Sequence, residues 1–343
     1  MNELPLPGLR ATEPIGFLAA VGLLRVCTAR GTFGLVKLGW SNDAGWSAVL
    51  HTEHECDQEQ LIEDLLAHMR GRSGASAFNA RADPPCNGRT ACWLSPNEWD
   101  DIKVPLSDYR NLLVAVRAAT DKHNREAADF LSALGSELIS VGGKDAVKPS
   151  ALHMTSGNQA FLESARDLGR SLDPDEPVHR KASCLPADAF REAVFDQRLE
   201  GPPGWWANDA FSAMGYDPTR EAVYALVATA PTAIGPRSTR AAVWLAVEAL
   251  PLFPSLPVGV RLQTRGFDRR TTAFRWAVWD GGLSVDAVRT LLGNREVSQS
   301  DPVAGRLRRF GIRALMESAR VTIGQGYGQL RPAVRVGEET ATT

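Results

Sequence analysis

A chain of 343 residues with 44% hydrophobic and 23% charged side chains has ordinary globular usage, which excludes a disordered protein, and its length exceeds the roughly 150 residues of one typical domain. Its five cysteines are odd in number and irregular in spacing, which argues against a disulfide framework and fits a reducing cytoplasm. The net charge of −2 is unevenly placed: residues 220–335 hold 17 arginines, no lysine and eight acidic residues, a net of +9 that leaves −11 elsewhere. Such asymmetry points to a polyanionic partner for the basic part, the alternative being a merely solvated arginine surface.

The first element in chain order lies in "ATEPIGFLAAVGLLRVCTARG", residues 11–31. A secretory signal would need a basic start and a small-residue cleavage site, whereas Glu3 and Glu13 flank a single Arg10. A membrane span would need about 20 apolar residues, and the run Ile15 to Leu24 is about half of that before Arg25 interrupts it. The stretch therefore predicts a packed core helix of a soluble protein from Glu13 to Arg30, with Thr12 as cap, Pro14 in the first turn and Gly31 closing the end. Leu18, Val21, Leu23 and Leu24 form its apolar stripe, and Gly16, Ala19, Ala20 and Gly22 permit close backbone approach.

Strand-like runs between Gly34 and Leu50 predict a hairpin turning across Ser41 to Gly45. Asp57 to Arg70 is an amphipathic helix with Leu61, Ile62, Leu65 and Leu66 on one face and an Asp57–Gln60 capping pair. Residues 72–105 read as loop. Leu106 to Leu138 reads as two helices, "YRNLLVAVRAAT" and "REAADFLSALGSEL". A Gly- and Lys-bearing loop with a strand follows, then a helix from Ser156 to about Leu172 with a Ser156–Gln159 capping box. Residues 173–219 read as an irregular Pro- and Trp-rich connector. Beyond it come a helix, a basic turn and a second helix capped by Ser238 or Thr239. In "RTTAFRWAVW", Phe274, Trp276 and Val278 alternate with Arg275 and Ala277, as in a half-buried strand, and "LSVDAVRTLLG" is a helix from a Ser284 cap to Gly293. The class is mixed α+β, helix-rich, with short antiparallel strands. Its regions are 1–172, a connector 173–219, an Arg-rich region 220–336 and a disordered tail 337–343.

Catalytic and metal signatures are weak. His51, His54 and Cys56 lie close together, but without HExxH order or a second half-site, and Cys86 and Cys92 are too widely spaced for a zinc knuckle. His123 and Asn124 lack a metal-binding partner for nuclease chemistry, and Asp100 and Asp101, adjacent in the chain beside Trp99, read as surface. No G-x-S-x-G, P-loop or kinase motif occurs. Gly324, Gly326 and Gly328 read as a tight turn, or as a weak phosphate-approach motif. Trp205 and Trp206 read as a satellite core or a docking surface. No catalytic residue, metal or cofactor is expected. The stronger signal is basic: Arg265, Arg269, Arg270 and Arg275, with Arg237, Arg240, Arg306, Arg308 and Arg309. Guanidinium groups suit bidentate phosphate contact, whereas Phe267, Phe274 and Trp276 nearby read as core rather than base-stacking platforms. A second tier of nucleic-acid contacts is Lys144 and Lys148 with Asn158 and Gln159, on a loop leading into the expected helix start.

Four stretches together resemble the large-subunit-like proteins of type I-G (formerly I-U) CRISPR effector systems. They are "LRATEPIGFLAAVGLLRV", "LHMTSGNQAFL", "FRWAVWDGGLSVDAVRTLL" and "RFGIRALMESARVTIGQGYGQLRP", scattered from Leu9 to Pro332. The resemblance implies a non-catalytic subunit of an RNA-guided surveillance complex, near the 5′ end of the guide. Such a subunit helps recognise the short motif flanking a DNA target and steadies the opened strands before a helicase-nuclease is recruited in trans. Its partners would be guide RNA, target DNA and other CRISPR-associated subunits, with no membrane, and the basic carboxyl region would supply backbone contacts. The alternatives are a scaffold protein without nucleic-acid binding and a nucleic-acid-processing enzyme with dispersed catalytic groups.

Overall fold

The computed structural model describes residues 1–42, 46–70, 101–120, 125–142, 144–155, 160–196, 209–218, 239–268, 272–298, 304–323 and 327–336. The fold is mixed α+β with short antiparallel sheets. It begins with a strand that the sequence reading did not anticipate, β1 (Asn2–Arg10), in which Leu4, Leu6 and Leu9 are buried and Glu3, Pro5 and Pro7 are exposed. Helix α1 (Pro14–Arg30) follows. Glu13, not Thr12, is its N-cap residue and makes no side-chain capping bond; at the other end Gly31, at φ 71°, donates its N–H to Cys27 O as expected. Strands β2 (Val36–Ser41) and β3 (Ser47–Thr52) form the expected hairpin, with Ser41 opposite Ser47. Sheet order is β1-β3-β2, so the prolines of β1 sit on an edge where a missing N–H is tolerated. In α2 (Gln58–Met69) both halves of the predicted capping box form: Gln60 N donates to Asp57 Oδ1 at 2.8 Å and Asp57 N to Gln60 Oε1 at 2.9 Å.

Helices α3 (Leu106–Ala119) and α4 (Glu126–Leu134) match the predicted pair, but the second stops at Leu134. Residues expected to continue it form strand β4 (Gly135–Ser140), paired with β5 (Val147–Pro149). Helix α5 (Phe161–Leu172) begins five residues later than its capping pattern suggested, after an extended Ala160, and buries Phe161, Leu162, Ala165, Leu168 and Leu172 at helical spacing. The region read as an irregular connector contains helix α6 (Pro186–Phe195), whose Phe190 and Val194 are wholly buried. A Cβ on Gly8 would stand 2.3 Å from Ala193 O, which is why β1 needs glycine where α6 crosses it.

Helix α7 (Arg240–Glu248) follows the predicted Thr239 position, although Thr239 makes no side-chain cap. The helix expected before it, Arg237, Trp205, Trp206 and the tail 337–343 lie outside the described residues. A short 3₁₀ turn leads to the hairpin β6 (Ser255–Val258) and β7 (Arg261–Thr264), and then to strand β8 (Phe274–Trp279). Helices α8 (Val285–Leu292), α9 (Arg295–Ser298) and α10 (Ala304–Arg309) come next, before strands β9 (Ile312–Ser318), β10 (Arg320–Ile323), β11 (Tyr327–Leu330) and β12 (Val334–Val336). Ser284 caps α8 as predicted, accepting from Ala287 N at 3.4 Å. The third sheet is ordered β12-β9-β8, and β10 and β11 pair antiparallel; the turn predicted from the glycines falls at residues 324–326, outside the described residues.

One apolar cluster runs through both the 1–172 and the 220–336 stretches. Its centre is α1, which is buried on every side from Pro14 to Val21 rather than along one stripe. The cause is close approach: a Cβ on Gly22 would lie 1.8 Å from Leu245 O of α7, so that helix pair packs backbone to backbone. On another side Phe17 stacks on Trp276 at 5.4 Å and on Trp40 at 6.0 Å. The two buried indoles of β8 satisfy their N–H groups on the amino-terminal elements, Trp276 on Ala11 O at 2.8 Å and Trp279 on Leu38 O at 2.9 Å. Phe267, Phe274 and Trp276 are therefore core, as read. Among the described residues no helix is long and apolar enough to cross a membrane.

Candidate nucleic-acid interface

Helix α9 packs against α8, α10 and β8, and these three short helices carry Arg289, Arg295, Arg306, Arg308 and Arg309. Arg306 is 63% exposed, although its Nη1 donates to Glu296 Oε1 at 3.1 Å. Arg308 and Arg309 are exposed, and among the described residues neither side chain has an ion-pair partner. Arg289, half-exposed, pairs with Asp286 at 2.8 Å one turn away on α8. Arg295 is exposed too; a single arginine on a four-residue helix offered the sequence reading no run to notice. Arg265, just after β7, is half-buried with its Nη1 donating to Arg289 O at 3.3 Å, and burial together with the nearby Arg289 charge pushes its pKa down from the usual arginine value. It reaches the α8 end of this surface by passing Gly293, where a Cβ would stand 3.6 Å from the Arg265 guanidinium carbon.

Two arginines proposed from sequence have other partners. Arg240 is 0% exposed; its Nη1 donates to Asp209 Oδ1 at 2.6 Å and its Nη2 to Cys184 O at 2.7 Å. Asp209 also accepts from Ser183 N and Oγ, both at 2.8 Å. Arg275 is 4% exposed and is held between Asp268, at 3.3 Å, and Glu317, its register partner across β9. The half-buried strand expected at β8 is buried along all six residues, and Arg275 lies inside because two carboxylates compensate its charge there. Neither guanidinium is presented to a phosphate. Lys144 and Lys148 are exposed, on the β4–β5 hairpin rather than beside the start of α5. Arg269, Arg270, Asn158 and Gln159 lie outside the described residues.

A buried polar cluster went unread in the sequence. Asp101, expected on the surface beside Asp100, accepts from His153 Nε2 at 2.5 Å, and the His153 ring packs against Phe161 at 5.2 Å. Burial alone would raise the Asp101 pKa; the His153 hydrogen bond and charge, the Ile102 N–H and Lys103 outweigh it and hold it below the usual carboxylate value. Thr155 Oγ1 approaches the same Nε2 at 3.5 Å, so acid and hydroxyl meet one ring nitrogen, not the two that a proton relay from hydroxyl through imidazole to carboxylate uses. Arg320 closes the cluster with Nη2 at 3.5 Å from His153 O, its pKa lowered by burial. Elsewhere, His51 turns to Glu3 at 3.4 Å, and burial with nearby Asp57 and Asp64 pushes the Cys56 thiol up to about 12. Among the described residues no three His, Cys, Asp or Glu side chains gather into a group able to hold a metal ion. Cys86, Cys92, His123, Asn124, Gly324 and Gly326 lie outside the described residues.

The arrangement suits contact with a phosphodiester backbone: guanidinium groups spread over a helical surface, two of them without carboxylate partners among the described residues. The chain matches no protein-family model, and no curated protein matches it in sequence.

Proposed function

We propose that this protein is a non-catalytic subunit of an RNA-guided CRISPR surveillance complex of the Cascade kind. In antiviral defence it contributes to recognition of the motif flanking a DNA target and to holding the separated strands. The observation that carries this reading is the α10 surface, where Arg308 and Arg309 stand exposed beside Arg306. The resemblance of the four blocks in "Sequence analysis" gives that basic surface its context. Guide pairing reads the sequence of the target while protein supplies charge and shape, so a subunit of this kind needs phosphate contacts and no active site. It works in the cytoplasm, without a cofactor, bound to guide RNA, target DNA and other CRISPR-associated subunits, and a helicase-nuclease acts in trans.

A scaffold role without nucleic-acid contact is the second reading. It is favoured by an open, mainly apolar groove of about 540 Å³ between α3, α4, β4 and β6, lined by Leu113, Val116, Leu138, Leu256 and Pro257. Leu138 and Leu256 are both exposed there.

Fluorescence anisotropy of the purified chain on labelled duplex and single-stranded DNA, across a salt series, separates the two. The expected result is binding whose logarithm falls linearly with the logarithm of salt, with the slope reduced by about 2 in the Arg308→Glu, Arg309→Glu variant. Equal salt slopes for both proteins would move the phosphate contacts away from α10 and remove the observation that carries the first reading, and no binding by either would leave only the scaffold reading.

A further inference from the structure

Phe310 directly follows the arginines of α10 and is 54% exposed, and it is the only Phe, Tyr or Trp in the exposed class among the described side chains. Lone exposed apolar residues are common, so exposure by itself carries nothing. What sets Phe310 apart is how firmly it is held and what surrounds it. Its own N–H donates to Leu307 O at 3.0 Å, the next N–H, of Gly311, donates to Arg308 O at 3.0 Å, and Gly311 O accepts from Asp280 N at 2.8 Å. Gly311, at φ 71°, then turns the chain into β9, a conformation that strongly favours glycine. The ring is thus presented on a backbone locked by hydrogen bonds at both ends of the turn.

The residues around it are basic. From Ala304 to Arg313 the sequence "AGRLRRFGIR" contains four arginines and no acid. Asp280, which the turn brings near, is paired with Arg313. An aromatic face flanked by exposed cations matches a ligand with negative charge on its backbone and flat apolar faces that are accessible. Single-stranded nucleic acid has both; in a duplex the base faces are already stacked on one another. The buried Phe267, Phe274 and Trp276 cannot take this role.

We propose that Phe310 is a stacking platform for an unpaired base of single-stranded DNA or RNA, with Arg308 and Arg309 neutralising the adjoining phosphates. This inference rests on the nucleic-acid reading above and names its preferred substrate as the single strand, in keeping with a chain that holds opened strands.

The test uses the full chain and an oligothymidine carrying one 2-aminopurine, read by anisotropy and by 2-aminopurine fluorescence, with a duplex of matched length alongside. Four variants are compared: Phe310→Ala, Phe310→Leu, Phe310→Trp, and Arg308→Glu with Arg309→Glu. Phe310→Ala and Phe310→Leu are expected to weaken single-strand binding by about 5- to 150-fold, as for the loss of one base–aromatic stack. They should leave duplex binding within about twofold and the salt slope unchanged, because stacking releases no counterions. Phe310→Trp should retain affinity and 2-aminopurine quenching. Wild-type affinity in Phe310→Ala or Phe310→Leu, alongside a loss in the double arginine variant, would overturn the stacking platform and leave the nucleic-acid interface standing. Failure of the wild type to bind any oligonucleotide would overturn both. A contact made only through the ring's apolar bulk would show as full affinity in Phe310→Leu with loss in Phe310→Ala, and would also overturn the proposal. An unchanged thermal midpoint in each variant confirms that folding is intact.

Discussion

Arg275 and Arg308 belong to the same arginine-rich stretch and carry the same group, yet their surroundings are opposite. Arg275 lies inside the β8–β9 ladder between Asp268 and Glu317, while Arg308 stands on α10 in solvent. Arg240 repeats the first situation, enclosed with Asp209 and the Cys184 carbonyl. The net charge of a region therefore overstates what it offers to a partner. A guanidinium whose charge is matched in the interior holds distant segments together, and only the exposed remainder projects a field into water. For Arg240 the segments joined are 31 residues apart and for Arg275–Glu317 they are 42 apart.

Removing the buried guanidinium is the sharpest way to break this comparison. Arg240→Ala removes the guanidinium that Asp209 faces in the interior, and Arg275→Ala removes the one held between Asp268 and Glu317. Each is expected to cost about 3–5 kcal/mol of stability in a urea melt. Arg308→Ala and Arg309→Ala are expected to stay within about 0.5 kcal/mol of wild type. A small loss at Arg240, or a large one at Arg308, would erase the distinction between fold-holding and solvent-exposed arginines.

How far this division was legible follows from the distance over which each cause acts. The Asp57–Gln60 capping box, the Ser284 cap and the Gly31 stop are written within three or four residues, and the structure has each of them where the sequence puts it. The exposed arginines of α10 were visible as a run. The β8 strand was visible as an alternation, but its burial was not, because the cover over Arg275 comes from Asp268 and Glu317. Strand β1 was not anticipated: Pro5 and Pro7 cannot donate to a ladder, and a strand that holds them is explained only by its edge position. At α5 the described helix starts only at Phe161, after an extended Ala160, where the buried Phe161 face can begin to pack; the Ser156–Gln159 pair lies outside the described residues. The Asp101–His153 pair, 52 residues apart, left no local trace.

That pair sharpens the comparison at intermediate burial, with His153 enclosed and the Asp101 side chain 26% exposed. Because the folded-state pKa of Asp101 is depressed, the pair's stabilisation is complete above the unfolded value of about 3.9 and is lost as pH falls through the lower folded value. Asp101→Asn is expected to cost about 1.5–3 kcal/mol at pH 7, the range for a hydrogen bond to a charged group. Urea melts at pH 7 and near pH 3 should show the gap between wild type and variant shrinking in acid. A gap of constant size would mean that shape rather than charge holds the two loops together.

The smallest effect is expected where the geometry looks almost as good. Arg125 Nη2 lies 3.0 Å from Asp129 Oδ1, only slightly longer than the 2.6 Å of Arg240 and Asp209, but the Arg125 side chain is 67% exposed. Its position subtracts further: Arg125 is the N-cap residue of α4, where a positive charge faces the positive end of the helix dipole at a cost of about 0.3 kcal/mol or more. The i,i+4 pair returns about 0.3–0.5 kcal/mol at best, and the order with the base ahead of the acid is the weaker one. The two terms nearly cancel, so Arg125→Ala should melt within about 0.3 kcal/mol of wild type at low salt and no further away in 1 M salt. A loss above about 1 kcal/mol would show that bond length alone predicts the worth of an ion pair in this protein, and that desolvation is not what separates Arg240 from the surface arginines.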